Sequence, residues 1–108
     1  MEKMMNLNQI KEAIQEKPLV IMLSKTGNCG VCESIQFKVI ELLKSHSGVK
    51  GMYVFNEDVP EIASEYMIFS AATLLLFVEG KEMYRVSRFV RFDELERILQ
   101  LYEEELEL

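Results

Sequence analysis

Two unbroken apolar runs constrain this chain more than any other feature. Leu19 to Ser24 reads Leu-Val-Ile-Met-Leu-Ser, and Thr73 to Val78 reads Thr-Leu-Leu-Leu-Phe-Val. Each has the length of a strand, and neither alternates apolar with polar. Alternation marks a strand with one wet face; a continuous run predicts a strand covered on both faces, as in a sheet with helices on each side. The rest of the chain offers those helices. Asn6, with Gln9 three residues on, resembles a capping box, and Leu7, Ile10 and Ile14 follow at helical spacing. A first helix is expected from Leu7 to Glu16, ended by Pro18. A second runs from the cysteines to about Ser45, with Ile35, Val39, Leu42 and Leu43 in one stripe and Lys38, Glu41 and Lys44 opposite. Phe37 lies off that stripe. Gly51 to Asn56 reads as a strand. Asp58, Pro60 and Glu61 announce a short helix to about Tyr66. Glu79 and Gly80 turn the chain into a hairpin strand, Lys81 to Val86. Leu95, Ile98, Leu99, Tyr102 and Leu106 make a closing amphipathic helix whose Glu-rich end reads as frayed. The expected architecture is α/β: one domain over residues 1–108, with a four-stranded mixed sheet and helices on both faces.

With 108 residues, 49% of them hydrophobic, the chain can bury a core without disulfide staples or a structural metal. A net charge of −6 argues against nucleic acid and anionic membrane as partners, since both need Lys/Arg patches. Residues 1–10 lack the apolar core of a signal peptide, and the longest apolar run, Ala71 to Val78, is too short for a bilayer span. The expected location is the cytoplasm, where cysteine pairs are reduced by default and disulfides are usually transient. Of seven methionines, Met22 and Met52 are expected in the core, and Met4 and Met5 in a mobile terminus. His46, the only histidine, is expected to be solvated in a polar loop.

Both cysteines fall in the stretch Asn-Cys-Gly-Val-Cys, residues 28–32. Alone, two cysteines at this spacing fit half a zinc site, a redox pair or coincidence. A closed zinc site needs four ligands, and His46 is far from any metal spacing. At a helix start, residues i and i+3 are close enough to close a disulfide. The first cysteine meets outward-pointing N–H groups and the positive end of the helix dipole, which favour a thiolate. Cys29 is therefore expected at the exposed end as the attacking thiolate. Cys32, one turn inside, is expected to resolve the mixed disulfide. Gly30 and Val31 set the helix entry, and Lys25, in the preceding loop, adds positive charge.

A Cys-Gly-Val-Cys motif after a buried strand and at a helix start resembles the thioredoxin family, whose usual motif differs at one residue. The stretch Ser70 to Val86 resembles that family's second signature: Pro-Thr, apolar strand, Gly turn and hairpin strand. The likeness in element order runs from about Leu19 to the last helix. It implies a thioredoxin fold and thiol–disulfide exchange, catalysed by Cys29 and Cys32, with Gly30, Val31, Ala71 and Ala72 along the substrate groove. It implies protein or small-molecule disulfide substrates, a separate electron donor (a reductase or a small thiol) and no bound cofactor. The chain departs from the family at several places. Ala72 stands where a cis-proline is usual, and a cis bond before a non-proline residue costs roughly 3–4 kcal/mol, so a trans Ala71–Ala72 peptide is expected. Asn28 replaces a tryptophan, Leu23 a buried carboxylate, and Ser87, Arg88 and Phe89 a flat glycine-containing rim. Two other readings are a non-catalytic module that binds through the groove, and a dimeric metal site using two thiolates from each chain.

Overall fold

A computed structural model describes residues 1–108. The sheet is built around β2 (Leu19–Lys25), every residue of which is buried. β3 (Val49–Phe55) pairs with it in parallel on one edge. On the other edge β4 (Thr73–Val78) pairs antiparallel, and β5 (Lys81–Ser87) continues the hairpin. Because side chains alternate along a strand, β2 feeds two cores at once. Val20 and Met22 join Met52, Val54, Leu75 and Phe77 under α1 (Leu7–Glu16). Leu19, Ile21 and Leu23 join Leu74 and Leu76 under α2 (Gly30–Leu43) and α4 (Phe92–Leu106). This two-sided burial is the reason the runs are unbroken.

The sheet has five strands, not four. Glu2–Met4 forms β1, parallel to β3, and the order is β1-β3-β2-β4-β5. Met4 is therefore part of the core rather than of a mobile terminus; it is 2% exposed, whereas Met5 faces solvent. Three residues with one inward side chain are too short for periodicity to register. The cap after them does form: Asn6 Oδ1 accepts from the Gln9 amide at 2.9 Å, and Gln9 Oε1 accepts from the Met5 amide at 2.7 Å.

Elsewhere the elements follow the expected order. Glu79 and Gly80 both have positive φ, 49° and 84°, as a two-residue hairpin turn matched to strand twist requires. The short helix α3 covers only Ile62–Glu65, with Pro60 in the turn before it. Phe37 is exposed, in keeping with its place off the apolar stripe. α4 stays regular to Leu106 and closes on Glu107 in the left-handed region, whose N–H reaches back to the last turn, so the Glu-rich end is ordered helix.

His46 is not solvated. It is 5% exposed, its Nδ1 lies 2.7 Å from Glu103 Oε1, and its Nε2 lies 3.5 Å from Glu96 Oε2. The returning α4 covers the loop after α2, which no local pattern around His46 reveals.

Removing the Met4 side chain tests the fifth strand. Met4→Ala is expected to cost about 2–4 kcal/mol, as for other buried large-to-small changes. The readout is a lower urea midpoint at unchanged slope; an unchanged midpoint would return Met4 to a mobile terminus.

Candidate active site

The chain leaves β2 at Lys25, turns through Thr26 to Asn28, and enters α2 with Cys29 as its N-cap. Cys29 and Cys32 are joined by a disulfide, with Cα atoms 5.2 Å apart. Cys29 Sγ also accepts from the Cys32 amide at 3.1 Å, so the sulfur occupies the place of a capping oxygen. The two cysteines meet different surroundings. Cys29 is partly exposed and lines a cavity of about 360 Å³ with Asn28, Gly30, Val31, Ala71, Arg88 and Phe89. Cys32 is fully buried in the same apolar cluster as Leu23, Ile35, Ala72 and Leu74. An incoming sulfur reaches Cys29 first.

The wall opposite the cysteines comes from the loop before β4. The Ala71–Ala72 peptide is cis, not trans as expected from the residue type. The segment is fastened from both sides. The Ala72 carbonyl accepts from the Arg88 amide at 2.8 Å, and Thr73 Oγ1 donates to the Ser70 carbonyl at 2.7 Å and lies 3.2 Å from Ser87 Oγ. Tertiary hydrogen bonding, absent from any single-residue preference, accompanies this backbone form. Ala71 lines the cavity, while Ala72 is buried behind it. Gly30 and Val31 lie on the cavity's helical side, and the Val31 side chain is exposed.

Lys25 is placed differently from the loop position expected of it. It is the last residue of β2 and only 2% exposed. The period of two carries it to the face of Leu19, Ile21 and Leu23, toward α2. There Nζ donates to Glu33 Oε2 at 2.9 Å and to Gln36 Oε1. It also lies over the rings of Tyr53 and Phe55, 5.3 and 5.1 Å from their centroids. A buried ammonium is costly unless paired, and here an ion pair, an amide and two ring faces supply the pairing. The arrangement ties β2, β3 and the first turns of α2 together at the start of the reactive helix. Gly27 adds a second tie, its amide donating to Glu57 Oε2 at 2.8 Å.

Three groups along the cavity stand outside the expected substrate-binding set: Asn28, Arg88 and Phe89. They sit where the chain departs from its resemblance, and that departure was their signal. No group of three or more His, Cys, Asp or Glu side chains is placed to hold a metal. No helix is long and apolar enough to cross a membrane.

A helix capped by a disulfide-bonded cysteine, starting beyond the C-terminal end of the central strand of a two-sided sheet, defines a thioredoxin fold. Its backbone superposes on the oxidised thioredoxin of Plasmodium falciparum with a TM-score of 0.83 at 19% identity, covering 94% of this chain and 97% of that one. For Fasciola hepatica thioredoxin the TM-score is 0.82 at 24% identity, over 94% and 99% of the two chains. These likenesses establish a thioredoxin fold. In sequence, the chain is 35% identical to the thioredoxin-like protein YdfQ of Bacillus subtilis strain 168 over 95 residues, 84% of each chain. No family model matches it. On the strength of the YdfQ likeness, the chain belongs to the thioredoxin-like family.

The Lys25 tie has a measurable consequence. Lys25→Met keeps the apolar stem and removes the ammonium, and is expected to cost about 1–3 kcal/mol, the range for losing charged hydrogen bonds. Glu33→Gln is expected to cost less than about 1 kcal/mol, because Glu33 is solvent-exposed and an exposed partner contributes little. Urea denaturation of the two variants measures both, and equal effects would contradict the asymmetry.

Proposed function

We propose that the protein is a thiol–disulfide oxidoreductase that reduces or exchanges disulfides through a Cys29/Cys32 cycle. The observation that carries this reading is the disulfide at the α2 start, with one sulfur on the cavity and the other sealed behind it. In the dithiol form, the Cys29 thiolate attacks one sulfur of a substrate disulfide. A Cys29–substrate disulfide forms, and the other substrate sulfur leaves as a thiolate. Cys32, as thiolate, then attacks Cys29 Sγ. The internal disulfide closes and the second substrate sulfur departs. The substrate gains two electrons and the cysteine pair loses two. Restoring the dithiol requires an external reductant, a reductase or a small thiol, and no bound cofactor. The compartment that fits this cycle is the cytoplasm, which keeps such pairs reduced. Substrates are protein or small-molecule disulfides, met along Gly30, Val31 and Ala71, with Ala72 supporting the wall from behind.

The division of roles predicts that Cys29 alkylates faster than Cys32 in the reduced protein. Cys32→Ser should accumulate mixed disulfides through Cys29. Equal labelling rates, or trapping by Cys29→Ser alone, would reverse the assignment.

The floor beneath the pair sets the rate of the second step. Cys32 and Leu23 are both fully buried in one apolar cluster, and the buried polar or charged residues of the chain, Ser24, Lys25, His46 and Thr73, include no carboxylate. Desolvation disfavours the thiolate that the resolving attack needs. A Cys29 mixed disulfide should therefore decay slowly near neutral pH and faster as pH rises. Leu23→Asp should speed the decay while destabilising the fold by about 2–5 kcal/mol, from lost packing and a buried carboxyl. Decay that is fast and independent of pH in the unmodified protein would contradict this role for Leu23.

A further inference from the structure

We infer that Arg88 selects substrates, favouring protein disulfides in which the attacked half-cystine is flanked by an acidic residue and an apolar one. The inference rests on the thiol–disulfide exchange proposed above and specifies its substrate class. Arg88 lines the same cavity as Cys29, and it is the only charged side chain that does so. Its guanidinium makes no ion pair or hydrogen bond within the protein. The chain's other arginine near this rim, Arg91, is paired with Glu94 at 3.7 Å, and Arg85 is clamped by Glu82. Two carboxylates on the neighbouring elements are engaged elsewhere: Glu33 by Lys25, and Glu57 by the Gly27 amide. The chain thus carries a net charge of −6 yet leaves one uncompensated cation at the reactive sulfur.

The backbone holds that cation in place. Arg88 adopts φ 64°, a left-handed conformation uncommon for a residue with a long side chain. Its own amide is bound to the Ala72 carbonyl, and the Phe89 amide returns to the Ser87 carbonyl at 2.7 Å, closing a three-residue turn. The turn sets Arg88 beside the Ala71 wall and projects Phe89, 86% exposed, from the same rim. Val31 across the cavity and Phe69 on the loop leading to Ala71 are also exposed. A planar guanidinium beside apolar surface fits a carboxylate next to an apolar side chain. Exposed apolar side chains thus stand on the helical side of the cavity, on its rim and on the loop leading to its wall, an arrangement suited to the several side chains of a protein segment.

The test uses protein reduced beforehand with a small dithiol, freed of it, and mixed in single turnover with peptide disulfides. The peptides are identical except for Glu or Lys, each beside Leu or Ser, next to the half-cystine. The unmodified protein is expected to reduce the Glu-Leu peptide about fivefold or more faster than the Lys-Leu peptide at low salt, with the ratio shrinking as salt rises. Arg88→Gln should bring the ratio to about one, Arg88→Glu should invert it, and Arg88→Lys should keep most of it. A ratio near one in the unmodified protein, or one unmoved by Arg88→Gln and Arg88→Glu, overturns the inference while leaving exchange intact. Equal rates for Leu and Ser peptides, or an Arg88 effect as large on the small acidic disulfide of oxidised glutathione, overturns the assignment to an apolar-acidic protein segment. Release of no thiol from any peptide overturns the exchange reading itself, and the inference with it.

Discussion

Burial of β2 on every side is the constraint from which the rest follows. Its two edges are hydrogen-bonded to β3 and β4, and its two faces supply separate apolar clusters. Such a strand cannot move without opening both cores. Its C-terminal end is therefore among the most firmly held points in the molecule, and Cys29, the cap of α2, lies four residues beyond it. The cysteines inherit their position from this strand.

The same strand decides the electrostatics beneath the site. Its alternation delivers Leu23 and Lys25 to the α2 face, one below the cysteines and the other beside the first turns of the helix. Leu23 keeps the floor dry. Lys25 neutralises Glu33, which would otherwise stand uncompensated next to Cys32. The rim then holds one unpaired cation, Arg88, whose backbone amide is hydrogen-bonded to the loop that faces the disulfide. Charge at this site is arranged by commitment: Glu33 and Glu57 have partners, and the Arg88 guanidinium does not.

Local pattern made much of this legible. The apolar runs announced strands buried on both faces, Asn6 and Gln9 announced the first cap, and Glu79-Gly80 announced the hairpin. The spacing of Cys29 and Cys32 at a helix start announced a disulfide. Misreadings share one cause. β1 is three residues with a single inward side chain, His46 is covered by carboxylates 50 and 57 positions away, and the Ala71–Ala72 loop is bound through Ala72 and Thr73 to residues 16 and 14 positions later. Each depends on partners distant in the chain, and periodicity reports only on neighbours.

The sequence by itself determined the two-sided sheet, the order of elements and the pairing of two cysteines one helical turn apart, because these follow from side-chain spacing and backbone preference over a few residues. Only the tertiary structure decided the form of the wall opposite the cysteines, the burial of Lys25 beside the helix start, and which charges around the pair are left free. Those properties are set where Ala71 and Arg88, from the loop before β4 and the turn after β5, converge on Cys29, and where Lys25 of β2 meets Glu33 and Gln36 of α2. Convergence of that kind is a matter of packing in three dimensions, and no stretch of chain contains it.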